Sequence, residues 1–216
     1  MKVSFITPPS LDKFKPAERT AGCTRVVYNM VNIYELTVAA LAEQEGYEVA
    51  YRNFVLEEAS SEQFFSFLEN DDSDVYLLWT VNLSIPTDIQ VERFIHTKRP
   101  ESICIFLGPG ATYFAKSLLG HPASVVVRGE PEDTVRELLR YISEEKDWRT
   151  IVGISFWDEN QMVENAPRPL IKNLDELPFP AIHFVEKFVF SNPKLKVSPY
   201  MAMVTSRNCP FHCIYC

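Results

Sequence analysis

Glycine is scarce in this chain and stops early: only seven of the 216 residues are Gly, and none follows Gly153. So few glycines exclude a collagen-like or flexible low-complexity chain. Cysteine is also rare, with five residues, of which three fall in the last eight, so a disulfide scaffold is excluded. No stretch approaches the ~20 apolar residues of a membrane span, and no membrane partner is expected. The amino terminus, MKVSFITPPS, lacks the pattern of a secretory signal, and the cytoplasm is the expected location. Positive charge is in deficit, with 21 Lys+Arg against 29 Asp+Glu. The whole net charge of −8 arises before residue 151, where 15 Lys+Arg face 23 Asp+Glu; the remainder carries six of each. Phosphate neutralisation needs clustered Lys and Arg, so nucleic acid is not expected as a partner.

What the chain does contain is a series of short apolar runs between amphipathic stretches. The runs Val3–Thr7, Glu48–Phe54, Val75–Thr80, Ile103–Leu107, Ser124–Val127 and Ile151–Phe156 read as strands. Several are nearly continuous in apolar residues (VYLLW, ICIFL, VVV), as strands covered on both faces by helices should be. Helix signals lie between them. Val31, Tyr34, Val38 and Leu41 share one face, and Gly46 fits a helix stop. Ser60 with Gln63 makes a capping box ahead of Phe64, Phe65 and Leu68. Ser84 and Pro86 open a segment that runs to Lys98, and Pro131 with Glu132 and Asp133 opens another. This alternation predicts an α/β domain with a doubly wound, Rossmann- or flavodoxin-like parallel sheet over residues 1–157. A proline-rich linker is expected over 158–199, since six of the fifteen prolines fall between Pro167 and Pro199.

In such a sheet ligands bind at the carboxyl ends of the strands, beside the topological switch point. The loops there are Pro8–Tyr28, Val81–Ser84, Gly108–Thr112 and Arg128–Pro131. The first carries Lys13, Lys15, Arg19, Cys23 and Arg25, and its length exceeds the usual two to six or so residues, as a lid or functional loop would. In Leu107-Gly-Pro-Gly-Ala-Thr112, Gly108 and Gly110 suit either a tight turn or a close approach to a ligand. The segment is neither a dinucleotide fingerprint, lacking a third glycine, nor a phosphate loop, lacking Gly-Lys-Ser/Thr. Cys104, inside an apolar run, reads as a core residue.

The densest chemistry is at Cys209-Pro-Phe-His-Cys213-Ile-Tyr-Cys216. Three thiolates on one short loop can hold three corners of a cubic iron–sulfur cluster and leave the fourth iron open to a substrate or cofactor. Zinc is the alternative, with His212 or His183 as a fourth ligand.

These residues resemble the signature of the radical S-adenosylmethionine superfamily, in the branch that carries a cobalamin-binding domain. Thr205-Ser-Arg-Asn-Cys-Pro-Phe211 resembles that branch's T-S-R-G-C-P-F segment, and Tyr215 stands where it has an aromatic before the third cysteine. Leu174-Asp-Glu-Leu-Pro-Phe-Pro180 resembles its interdomain linker, Arg128-Gly-Glu-Pro-Glu132 its R-G-E-G-E segment, and the Gly108 loop its glycine loop. The resemblance implies a 4Fe–4S cluster on Cys209, Cys213 and Cys216, S-adenosylmethionine with Tyr215 near its adenine, and an electron donor such as flavodoxin or ferredoxin. It implies a corrinoid held by Asn82, Ser84, Gly108, Gly110, Ala111, Thr112, Gly129 and Glu130. The D-x-H-x-x-G segment that supplies a lower axial histidine to cobalt in many relatives does not occur, although some relatives bind corrinoid without it. Asn208 stands in place of a glycine, a residue that tolerates left-handed backbone. The implied chemistry is radical methylation or oxidative cyclisation of a small-molecule substrate. Residues 200–216 would begin a partial (β/α) barrel, with Tyr200–Thr205 as its first strand, so the chain is expected to be an amino-terminal fragment of such an enzyme, inactive by itself. The competing expectations are a non-catalytic corrinoid- or small-molecule-binding module with a vestigial cysteine tail, and a zinc-binding interaction protein. A methylthiotransferase fits less well, because only Cys23 and Cys104 precede residue 151.

Overall fold

The computed structural model describes residues 1–11, 31–159, 161–190, 195–209, 211, 213 and 214. Most of the first loop, including Lys13, Lys15, Arg19, Cys23 and Arg25, lies outside the described residues, as do His212, Tyr215 and Cys216.

Among the described residues, seven strands form one sheet in the order β2-β1-β3-β4-β5-β6-β7. The strands are β1 (Lys2–Thr7), β2 (Glu48–Asn53), β3 (Val75–Trp79), β4 (Ile103–Leu107), β5 (Ser124–Val127), β6 (Ile154–Asp158) and β7 (Gln161–Glu164). The first five are parallel, in the 2-1-3-4-5 order of the doubly wound fold, with the switch point between β1 and β3. The last two run antiparallel. The sheet is therefore mixed, and its final hairpin carries it to Glu164, past the boundary expected at 157, which falls inside β6. The strand β7 is only four residues long, with Met162 and Val163 between two polar ends, too short for an alternation to read.

Connections between the strands are α1 (Ile33–Gln44), α2 (Ser61–Asn70), α3 (Ile85–Lys98), α4 (Gly108–Tyr113), α5 (Ala115–Leu118) and α6 (Glu132–Ser143), with a 3-10 turn at Asn82–Ser84 before α3. The capping box predicted at Ser60 is present: its Oγ accepts from Gln63 N–H at 3.3 Å, and the Gln63 side chain accepts from Ser60 N–H at 2.8 Å. The period-two geometry of β3 sends Val75, Leu77 and Trp79 to one face and Tyr76 and Leu78 to the other. All five are buried, so each face has its own core, one under α1 and α6 and the other under α2, α3 and α5.

The segment after β7 is not a free tether. Ala181 N–H donates to the Leu36 carbonyl of α1 at 3.0 Å. Phe184 stacks on Tyr51 at 5.6 Å, and Val185 and Phe190 are buried in the core beside α1. That contact explains why α1 is apolar nearly all round: the sheet covers one side and this segment the other. Tyr200 N–H donates to Phe190 O at 3.0 Å, and Met201–Thr205 then runs on without a ladder partner among the described residues. The strand expected at Tyr200–Thr205 is absent there, because a strand exists only through hydrogen bonds to a neighbour.

Candidate cofactor edge and cysteine loop

The carboxyl ends of β3, β4 and β5 bring three of the predicted loops side by side. Thr112 Oγ1 donates to Gly108 O and accepts from Gly129 N–H, each at 3.1 Å, and so ties the β4 loop to the β5 loop. Gly110 N–H donates to Thr80 O at 2.9 Å and ties the β4 loop to the end of β3. Ser84 Oγ accepts from Val81 N–H at 3.0 Å and lies 2.9 Å from Asp88, which organises the 3-10 turn.

The predicted residues divide by depth. Ser84, Gly108, Gly110 and Ala111 are buried, whereas Asn82 and Gly129 are exposed and Thr112 and Glu130 half-buried. Gly110 is glycine because a Cβ would stand 2.7 Å from the Val81 carbonyl carbon, and at Gly108 it would stand 2.8 Å from the Trp79 ring. The tight turn weighed in the sequence thus has its cause in the neighbouring β3 chain. Gly129 is different: its φ is +79° and a Cβ there would meet nothing within 4 Å, so its Cα side faces open space while its N–H is held by Thr112. Leu83 (47% exposed) and Tyr113 (80% exposed) put apolar surface on the neighbouring β3 and β4 loops.

Histidine is missing from this edge among the described residues. His96 and His121 stack on each other at 3.8 Å, and His96 Nε2 lies 3.2 Å from Ser124 Oγ at the first residue of β5, the opposite end of the sheet. Burial pushes His96 down to about 4 and pushes the adjoining Glu92 carboxyl up. His183 pairs with Glu43 at 3.1 Å, in the last turn of α1, also toward that far end.

The cysteine loop reaches the cofactor edge through a contact that the motif reading did not anticipate. Arg207 donates from Nη1 to Glu132 Oε2 at 3.0 Å and from Nη2 to Glu132 Oε1 at 2.5 Å. The Glu132 side chain is fully buried at the first turn of α6. Glu130 Oε1 stands 3.7 Å from Arg207, and Glu130 Oε2 accepts from Ile171 N–H at 2.7 Å. The Arg207 guanidinium lies 5.4 Å from the Tyr34 ring, which stacks on Trp79 at 5.6 Å. The only advance signal was the occurrence of Arg207 and Glu132 in two separate motifs. Next along the chain, Asn208 adopts φ +68°, the left-handed turn expected where relatives carry glycine. Cys209 and Cys213 follow, both exposed and neither in a disulfide, while buried Cys104 has its thiol pushed well up by burial.

No protein-family model matches the chain. It is 23% identical, over its whole length, to an uncharacterised methyltransferase of Pyrococcus horikoshii, covering 45% of that protein. It is 27% identical over 61% of its length to the anaerobic magnesium-protoporphyrin IX monomethyl ester cyclase of Synechocystis, covering 26% of the cyclase. It thus spans less than half the length of these curated relatives. Among solved structures, the radical S-adenosylmethionine methyltransferase TsrM of Kitasatospora setae, with cobalamin and a [4Fe-4S] cluster bound, superposes with a TM-score of 0.60 at 15% identity, over 82% of this chain and 31% of TsrM. The cobalamin-dependent S-adenosylmethionine radical enzyme OxsB gives 0.61 at 16% identity, over 84% of this chain and 24% of OxsB. In fold the chain is like the cobalamin-dependent radical S-adenosylmethionine enzymes, and in sequence it is similar to methyltransferases and an anaerobic ester cyclase.

Proposed function

We propose that this chain provides the corrinoid-facing α/β part and the cluster-binding cysteine loop of a radical S-adenosylmethionine enzyme that methylates or cyclises a small molecule. The observation that carries the reading is the attachment of the cysteine loop, through Arg207, to the carboxyl-terminal edge of the sheet. In this reading 1–157 with the β6–β7 hairpin is the cofactor-binding part, the segment to 199 the docked linker, and 200–216 the beginning of the catalytic part.

The residues fit the two groups. Cys209 and Cys213 are exposed thiols in no disulfide, and with Cys216 they make the soft donor set that an iron–sulfur cluster requires. At the sheet edge, the open Cα side of Gly129 and the exposed Leu83 and Tyr113 of the neighbouring loops suit a flat group with an apolar face and amide rim. Histidine is not among the described residues that would hold a corrinoid at that edge. When bound, the cluster supplies an electron for cleavage of S-adenosylmethionine, and the corrinoid a carrier for methyl transfer. This chain's own residues bind and orient. Tyr215 is assigned to the adenine; Asn82, Thr112, Gly129 and Glu130 to the corrinoid surface; Ser84, Gly108, Gly110 and Ala111 to shaping the loops beneath. The electron would come from a small redox protein of the flavodoxin or ferredoxin type.

Anaerobic reconstitution with iron and sulfide, followed by low-temperature electron paramagnetic resonance of the reduced chain, tests the cluster. A 4Fe–4S signal lost in Cys209→Ser and Cys213→Ser is the expected result. Tight stoichiometric zinc with no cluster signal would sink it in favour of the zinc reading. Retention of corrinoid absorbance after gel filtration with hydroxocobalamin tests the edge, and a colourless protein counts against that ligand.

A further inference from the structure

We infer that Arg207 and Glu132 are positioning residues that set where the first cluster cysteine stands relative to the ligand-facing edge of the sheet. The inference rests on the cluster reading above.

Three features of the pair go beyond an ordinary surface contact. First, the geometry is a fork: two nitrogens of a planar guanidinium meet two oxygens of one carboxylate, which fixes direction as well as distance. Second, it is enclosed. The Glu132 side chain has no exposed surface and that of Arg207 is 13% exposed, so neither solvent nor rotamer freedom blurs the position. Third, the guanidinium has a floor. Tyr34 lies beneath it and rests on Trp79, the last residue of β3, so Arg207 is referenced to the sheet itself.

The attachment sits one residue from Asn208, whose left-handed turn leads directly into Cys209. On the other side Glu132, the first residue of α6, directly follows the short loop that holds Gly129, with its open Cα side, and Glu130, which holds the linker at Ile171. Four consecutive residues at the start of α6 therefore carry the ligand-facing backbone, the tie to the linker and the tie to the cysteine segment. Met203–Ser206, just before Arg207, are exposed, so the fork supplies the order that packing does not. A lysine at 207 would keep the charge but lose the fork and the stacked plane.

The test uses the full chain with Glu132→Gln and with the double variant Arg207→Gln/Glu132→Gln, in which neither member of the fork is left charged and Glu130 keeps its bond from Ile171 N–H. Backbone NMR relaxation on the cluster-free protein reads the attachment directly. Order parameters at Ser206–Asn208 should drop below about 0.6 in the double variant while those of β4 and β5 stay near about 0.85. After reconstitution, the double variant should hold less iron per chain than the parent, and its reduced cluster should give a shifted or broadened resonance. Arg207→Lys should fall between the two. Unchanged order parameters at Ser206–Asn208 overturn the proposal, as does parental iron content with a parental spectrum in the double variant. If the parent itself forms no cluster, the functional reading fails and the positioning role with it; the relaxation data then still show whether the two segments are joined.

Discussion

The guanidinium of Arg207 and the carboxylate of Glu132, 75 residues apart in the chain, meet in a two-pronged hydrogen bond that no solvent reaches on the glutamate side. Removing one partner strands the other charge. Arg207→Ala should therefore destabilise the chain by about 3–5 kcal/mol, the range seen when a buried pair is broken from one side. Replacing both residues by Gln should cost much less, and urea unfolding of the two variants side by side measures the difference.

The glycines of the edge separate by a similar comparison. Gly110→Ala drives a methyl into the Val81 backbone, which is not a flexible neighbour, and should cost about 1–3 kcal/mol in thermal or denaturant unfolding. Gly129→Ala meets no atoms, so its cost is the left-handed backbone alone, about 1–2 kcal/mol. Under the functional reading the second variant should also weaken retention of corrinoid, since its methyl group occupies the open face. Undiminished corrinoid retention in Gly129→Ala would remove that position from the ligand surface.

Acid should loosen the far end of the sheet. Burial holds His96 at about 4 in the folded chain, whereas an unfolded histidine titrates near 6.5. Between those values the unfolded state binds more protons, so stability is intact above about 6.5 and falls as the pH drops toward 4. The raised Glu92 acts oppositely: just above 4.5 the folded state holds the extra proton, and that contribution disappears as pH rises through the folded value. His96→Gln should flatten the acid limb of a melting-temperature profile. A profile identical to the parent's between pH 4 and 6.5 would show that this histidine does not set it.

The Ser60 capping box gives a modest, local prediction. Ser60→Ala loses the side-chain acceptor for Gln63 N–H and should cost about 1 kcal/mol in urea unfolding. A change of a few tenths or less would mean that water replaces the cap.

The comparison of motif and structure shows which information is local. Runs such as Val75–Trp79 are buried from both sides, and that double burial is written into five consecutive apolar residues. The Ser60 box is legible because both halves lie within four residues. By contrast, β7 is short and at the edge of the sheet, so nothing in Gln161–Glu164 marks it. The all-round apolar character of α1 was readable only as one face, because the second is explained by residues near 185, far along the chain. In the site, the cysteine spacing and the turn at Asn208 are local and were visible; the partner of Arg207 is not local and was not. The role of Gly108 and Gly110 is not local either, since only the chain at Trp79–Val81 shows what a side chain would strike.

The covering of α1 by Ala181, Val185 and Phe190 has a practical consequence for dissection. A piece ending at 157 would leave a helix with a greasy back as well as a greasy front, and such a piece would self-associate. The smallest unit that closes its own surface carries the sheet, the hairpin and the stretch through Phe190 together, so the foldable unit and the stretch read as a linker are one object.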